Sequence, residues 1–182
     1  MHVTGNKYTF KVSVIGDGRV GKTSLIKKFT KGSFQTDYIK TIGAQFSVFD
    51  KIVNGDEIRL FFWDIAGQDD FHFLRSSFFK NTKAAIIVYS LEENELGKSS
   101  FAHISDWYND IFKYCGTIPI TIFANKVDLV NQSKLDTTRV KGLIEEGNYL
   151  NFFLTSAKTG EGVVEAFNEI IKILYKKYRV ET

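Results

Sequence analysis

Gly16, Gly21, Lys22 and Thr23 stand in the spacing Gly-x-x-x-x-Gly-Lys-Thr, with Asp17, Gly18, Arg19 and Val20 between the glycines. That spacing suits an anion. Glycines let the chain turn tightly, so successive backbone N–H groups point inward. A helix beginning behind the loop adds the positive end of its dipole. In such a loop Lys22 reaches the β- and γ-phosphates of a nucleotide, and the Thr23 hydroxyl serves as a ligand to Mg²⁺. The nucleotide contacts expected here come from Gly16, Gly18, Arg19, Val20, Gly21, Lys22, Thr23 and Ser24. The competing reading is a plain glycine-rich turn between a strand and a helix.

Two further clusters carry chemistry. Asp64-Ile65-Ala66-Gly67-Gln68 closes an apolar run. An acidic residue at a strand end, downstream of a phosphate loop, can hold Mg²⁺ through its water shell. Gly67 lets a backbone N–H approach a γ-phosphate, and Gln68 can orient a water for in-line attack. Asn125-Lys126-Val127-Asp128 follows another apolar run. The Asp128 carboxylate accepts only, which suits the adjacent N1–H and N2–H₂ donors of guanine. Adenine would meet it with an acceptor, and rejection by an unpaired buried group reaches about 10⁴-fold. Asn125 is expected to tie this loop to the phosphate loop, and the Lys126 stem to lie along the base or ribose. Ser156-Ala157-Lys158 ends a third run, where backbone N–H groups could meet the guanine carbonyl.

The elements that must position these groups are legible in the hydrophobic pattern. Residues 8–16 read as a strand buried on both faces, delivering the loop where open α/β sheets bind ligands. A helix is expected over 22–30, with Leu25, Ile26 and Phe29 inward. Residues 31–43 are polar and irregular, and a loop of that length is usually functional. Strands over 45–53 and 58–63 flank Asn54-Gly55-Asp56, a hairpin turn, and so should be antiparallel neighbours. An aromatic-rich helix and turn is expected over 70–83, a buried strand over 84–89 and a polar loop over 92–98. One helix is expected over 99–114, with Phe101, Ile104, Trp107, Tyr108 and Ile111 on its inner face. Strands over 118–124 and 151–154 and helices over 137–146 and from 163 onward complete the chain.

Composition restricts the setting. One domain over 1–182 is expected from 182 residues. The 43% hydrophobic content supports a full core, and a net charge of +3 is too small to imply a nucleic-acid partner. The single cysteine, Cys115, excludes an internal disulfide and suits a reducing, cytoplasmic compartment. It is read as a helix-end residue without chemistry. No apolar run reaches the ~18 residues of a membrane span. Lys172, Lys176, Lys177 and Arg179 on the last helix are read as a solvated face.

Taken together, the chain resembles a Ras-superfamily small GTPase over roughly residues 8–178, and within it most resembles the Rab branch. The motifs carrying this are Gly16 to Thr23, Thr41, Asp64 to Gln68, Asn125 to Asp128 and Ser156 to Lys158, in family order. Lys40 to Phe46 and Trp63 to Gln68 resemble the two Rab switches. The resemblance implies a phosphate-loop α/β fold, with a six-stranded, mostly parallel sheet, one antiparallel edge pair and helices on both faces. It implies GTP, GDP and Mg²⁺ as ligands, with Thr23 and Thr41 as protein ligands to the metal and Asp64 behind them. Phe34 would flank the guanine, Tyr38 would close over the phosphates, and Gln68, Lys22, Thr41 and Gly67 would serve hydrolysis. Gly18 stands where a side chain would crowd the attacking water. Phe46, Trp63 and Phe78 match an aromatic triad that contacts effectors, with core packing as the alternative. An activating protein, an exchange factor and effectors are the implied partners of a monomeric switch in vesicle or membrane traffic.

Some positions depart from that pattern. Asp69 replaces a Glu, Ile65 a common Thr and Ser90 a common Asp, and residues 91–99 run about four residues longer than the family norm. These departures bear on partners more than on nucleotide chemistry. The chain ends at Thr182 without a C-terminal cysteine, so membrane attachment would need a lipidated tail that this sequence does not carry. Two other classes are weighed against the switch. A module that binds GTP without useful hydrolysis, outside membrane traffic, is disfavoured by the complete Thr41 and Gln68 set. An ATP-using phosphoryl-transfer enzyme is disfavoured by Asn125 to Asp128.

Overall fold

A computed structural model of the chain describes residues 5–32, 43–67 and 75–179. Six strands form one sheet in the order β2-β3-β1-β4-β5-β6. These are β1 Lys7–Ile15, β2 Ala44–Val53, β3 Asp56–Ile65, β4 Ala84–Ser90, β5 Ile120–Asn125 and β6 Asn151–Thr155. β2 and β3 pair antiparallel, from Ala44 opposite Ile65 to Val53 opposite Asp56. Every other pairing is parallel. The hairpin turns at Asn54 (φ 52°) and Gly55 (φ 88°), two left-handed residues in succession, which matches the twist of the flanking strands. The expected fold class is therefore the one observed.

Apolar faces explain the layers. β4 and β5 are buried along their whole length, as parallel strands covered on both faces must be. On one face, Phe10, Val12, Leu60, Phe62, Ile86 and Phe123 pack against α1 (Lys22–Lys31) and α6 (Val163–Tyr178). Phe29 of α1 stacks on Phe167 of α6 at 4.4 Å and meets Phe49 and Phe62 as well. On the other face, Ile15, Ala85, Ile87, Ile120 and Ile122 pack against α4 (Ile104–Cys115) and α5 (Thr138–Glu146). α2 (Arg75–Phe79) contributes Phe79, which is fully buried.

Three expectations need correction. The polar loop expected over 92–98 is already helical from Glu95, because α3 spans Glu95–Ala102. Asn94 caps it by accepting from the Gly97 N–H at 3.0 Å, a sidechain-to-backbone bond that periodicity does not register. The single helix expected over 99–114 is two helices, α3 and α4, broken at His103. There the imidazole is drawn to the phosphate loop. The strand expected over 58–63 runs two residues further at each end, since its ladder with β2 continues down to the turn. Cys115 does end α4, where its thiol donates to the Phe79 carbonyl at 3.2 Å. No helix among the described residues is long and apolar enough to cross a membrane.

Candidate functional site

The order β3-β1-β4 places β1 at the centre of the sheet, and the loop after it opens at the carboxyl ends of the parallel strands. Ligands of open α/β sheets bind in that position. Lys22, the first residue of α1, is buried and folds back over its own loop. Its Nζ donates to the carbonyls of Gly16 at 2.8 Å and Asp17 at 2.7 Å. Two of its three hydrogens are thus engaged. Burial lowers its pKa to about 8, against the opposing pull of the Asp64 and Asp17 carboxylates. The Thr23 hydroxyl donates directly to the Asp64 carboxylate, which is buried at the end of β3. Two hard oxygen groups side by side, next to a buried ammonium, suit Mg²⁺ beside a phosphate.

Gly67 comes against the phosphate loop. A Cβ there would lie 2.3 Å from the Gly16 carbonyl oxygen and 2.5 Å from the Gly18 nitrogen, so a side chain would drive the two segments apart. At Gly18, an added Cβ would meet nothing within 4 Å among the described residues. Val20 is buried in the core, and Arg19 sits at φ 67° on the rim. Phe34, Tyr38, Thr41 and Gln68 lie outside the described residues.

The second cluster reaches the same end of the sheet from β5 and β6. Asn125 is buried, and its side-chain nitrogen donates to the Val20 carbonyl at 2.8 Å. Its oxygen accepts from the Ala157 N–H at 3.2 Å and the Thr155 hydroxyl at 3.3 Å. One side chain therefore joins the phosphate loop, β5 and the segment after β6, as the sequence led us to expect. Asp128 Oδ1 accepts from the Ser156 hydroxyl at 2.6 Å. The Ser156 N–H is given to the Glu161 carbonyl, leaving Lys158 to carry the N–H without a partner among the described residues.

Sequence reasoning missed one contact set. Asp17 Oδ1 accepts from Trp107 Nε1 at 2.9 Å, and its Oδ2 meets His103 Nδ1 at 2.8 Å. The helix break at His103 brings that imidazole to the loop. The Arg75 guanidinium covers the Trp107 ring at 4.3 Å and pairs with Asp110. One signal was available: an acidic side chain inside an anion-binding loop repels its ligand unless donors neutralise it.

At the far edge of the sheet, Phe46 and Trp63 are cross-strand partners with ring centroids 4.7 Å apart. Phe78 of α2 lies 6.2 Å from Trp63. Phe46 is 60% exposed, whereas Trp63 and Phe78 are half-buried and pack against the core.

A phosphate loop on a six-stranded sheet, coupled by Asn125 to a second polar loop at the same edge, defines the small G-domain class. A family model described as Ras family matches residues 11–176, and the chain belongs to that family. It is 34% identical over 172 residues to Ras-related protein Rab-1 of Theileria annulata, covering 93% of this chain and 76% of that one. To Rab-9A of Homo sapiens it is 29% identical over 175 residues, covering 93% and 85%. To Rab-1D of Dictyostelium discoideum it is 33% identical over 161 residues, covering 88% and 76%. The chain is thus a Rab-like small GTPase, a guanine-nucleotide-binding hydrolase.

Proposed function

We propose that this GTPase is a switch in vesicle or membrane traffic, read by effectors at the Phe46, Trp63 and Phe78 face. Asp128 reads the guanine, with Asn125 and Ser156 to Lys158 shaping its pocket and the Lys126 stem beside it. Lys22 and the loop amides bind the phosphates. Thr23, Asp64 and Thr41 would hold Mg²⁺, which when bound neutralises charge between the β- and γ-phosphates. Gln68 orients the attacking water. The water oxygen bonds to the γ-phosphorus as the bond to the β–γ bridging oxygen breaks, and the water's proton passes to the phosphate released alongside GDP. Phe34 and Tyr38 flank the nucleotide. The γ-phosphate holds the Thr41 and Gly67 loops in one arrangement, and hydrolysis releases them.

The observation that carries this reading is the Asn125 bridge, which sets Asp128 and Lys22 at one edge of the sheet. With no arginine assigned to the γ-phosphate, intrinsic turnover is expected on the order of 10⁻⁴–10⁻² s⁻¹, awaiting an activating protein. Single-turnover phosphate release from GTP-loaded protein tests the catalytic assignment. Gln68→Leu should slow it about tenfold or more while GTP binding persists. An unchanged rate removes Gln68 from the mechanism. Equal affinity for GTP and ATP would remove the guanine assignment.

A further inference from the structure

The long segment after β4 does not lead away from the site. It returns to it. Leu91 donates its N–H to the Asn125 carbonyl at 2.9 Å. One residue on, the Glu92 carboxylate pairs with the Lys126 ammonium, and each side chain is 23% exposed. Ser90 braces the pair, its hydroxyl donating to Glu92 Oε2 at 2.9 Å. The backbone around Glu92 is anchored on both sides. The Ser90 N–H donates to Ser100 of α3 at 3.1 Å. Downstream, Gly97 of α3 presses on the Glu92 carbonyl, so that a Cβ there would lie 1.8 Å from its oxygen.

Glu92 also faces Arg19 of the phosphate loop across a cavity of about 550 Å³, which Asn94, Glu95, Leu96 and Lys126 complete. Burial pushes the Glu92 carboxyl up. Hydrogen bonds from Lys126 and Ser90, with the charges of Lys126 and Arg19, outweigh that and hold it below the usual range. It is a carboxylate at neutral pH, set between one cation from each nucleotide-binding segment.

We propose that Glu92 is a positioning residue that fixes Lys126 across the rim of the nucleotide site and so lengthens the residence of bound guanine nucleotide. The proposal rests on the guanine-nucleotide reading above. A free lysine side chain has many rotamers to lose, and holding it in place beforehand removes part of the cost of ordering it on binding. Lys126 itself sits at φ 71°, a backbone conformation rare for a residue with a side chain. On this proposal the segment that departs most in length from the family resemblance acts on the bound nucleotide as well as on partners.

Stopped-flow dissociation of a fluorescent GDP analogue from the full chain tests this. Glu92→Gln should speed dissociation about tenfold, the loss of one charge-assisted contact. Glu92→Asp should bring the rate back to within about threefold of wild type, since the long lysine can follow the shorter acid. In a Lys126→Met background, Glu92→Gln should change the rate less than about twofold, because the two substitutions break one interaction. An unchanged rate in Glu92→Gln overturns the proposal, as does no recovery with Asp or an equal acceleration in the Lys126→Met background. Wild-type protein that retains no GDP sinks the guanine reading itself, a result distinct from all of these.

Discussion

The two halves of the proposed nucleotide site are built on different terms. In the half proposed for the base, the polar groups are fixed before any ligand arrives. Asp128 is oriented by the Ser156 hydroxyl, and Asn125 by three partners in two segments, the phosphate loop and the end of β6. In the phosphate half, the principal cation spends its hydrogens on its own loop, as Lys22 holds the Gly16 and Asp17 carbonyls. On the proposed reading, a phosphate would compete for that ammonium. Asp17 in turn is held by His103 and Trp107, so the loop's shape depends on α4. A fixed acceptor discriminates between bases, because the wrong base leaves it unpaired. A cation shared between loop and ligand responds to the ligand's charge. The guanine half is suited to selecting and the phosphate half to sensing.

The largest expected effect breaks the base half alone. Asp128→Asn sets an amide donor against the guanine donors, so GTP affinity should fall about a thousandfold. ATP affinity should stay as it was. Equilibrium titration of both nucleotides reads the ratio, and a parallel loss of ATP binding would mean that the two halves are not separable. Asn125→Ala attacks the joint between them. It removes a buried donor and acceptor and strands the Val20 carbonyl, so the fold should lose about 2–4 kcal/mol in denaturant unfolding, with nucleotide affinity falling alongside.

The smallest effect sharpens the phosphate half. In the free protein burial lowers the Lys22 pKa to about 8. Bound phosphate favours the ammonium and raises that value. Above pH 8 the complex therefore binds more protons than the free protein. Affinity should be flat below pH 8 and fall as pH rises beyond it, by up to about tenfold per unit. Calorimetry at pH 9 in two buffers of different ionisation heat should detect proton uptake on binding. Proton release, or none, would place the shift elsewhere.

Much of this was legible in the chain. The strand and loop around Lys22, the hairpin at Asn54-Gly55 and the Asn125-to-Asp128 loop all stand where local pattern puts them. Each is a short-range signal: alternation, a turn dipeptide, or polar residues closing an apolar run. The misses share a different cause. α3 begins at Glu95 because of a cap, and the break at His103 follows where Asp17 lies in space. Trp107 read as an apolar helix residue, yet its indole N–H holds the phosphate loop. Periodicity reports which way a side chain faces but not the single polar atom on it.

By itself, then, the sequence determined the class of ligand and the order of the strands' motifs. Glycine, lysine, threonine and aspartate at those spacings have few other uses, and spacing along the chain is a local property. Only the tertiary structure decided which residues hold the motifs in place. Trp107 reaches Asp17 across 90 residues, and Glu92 meets Lys126 across 34. Those partners are brought together by sheet order and helix packing, and no feature of their own neighbourhoods marks them as a pair.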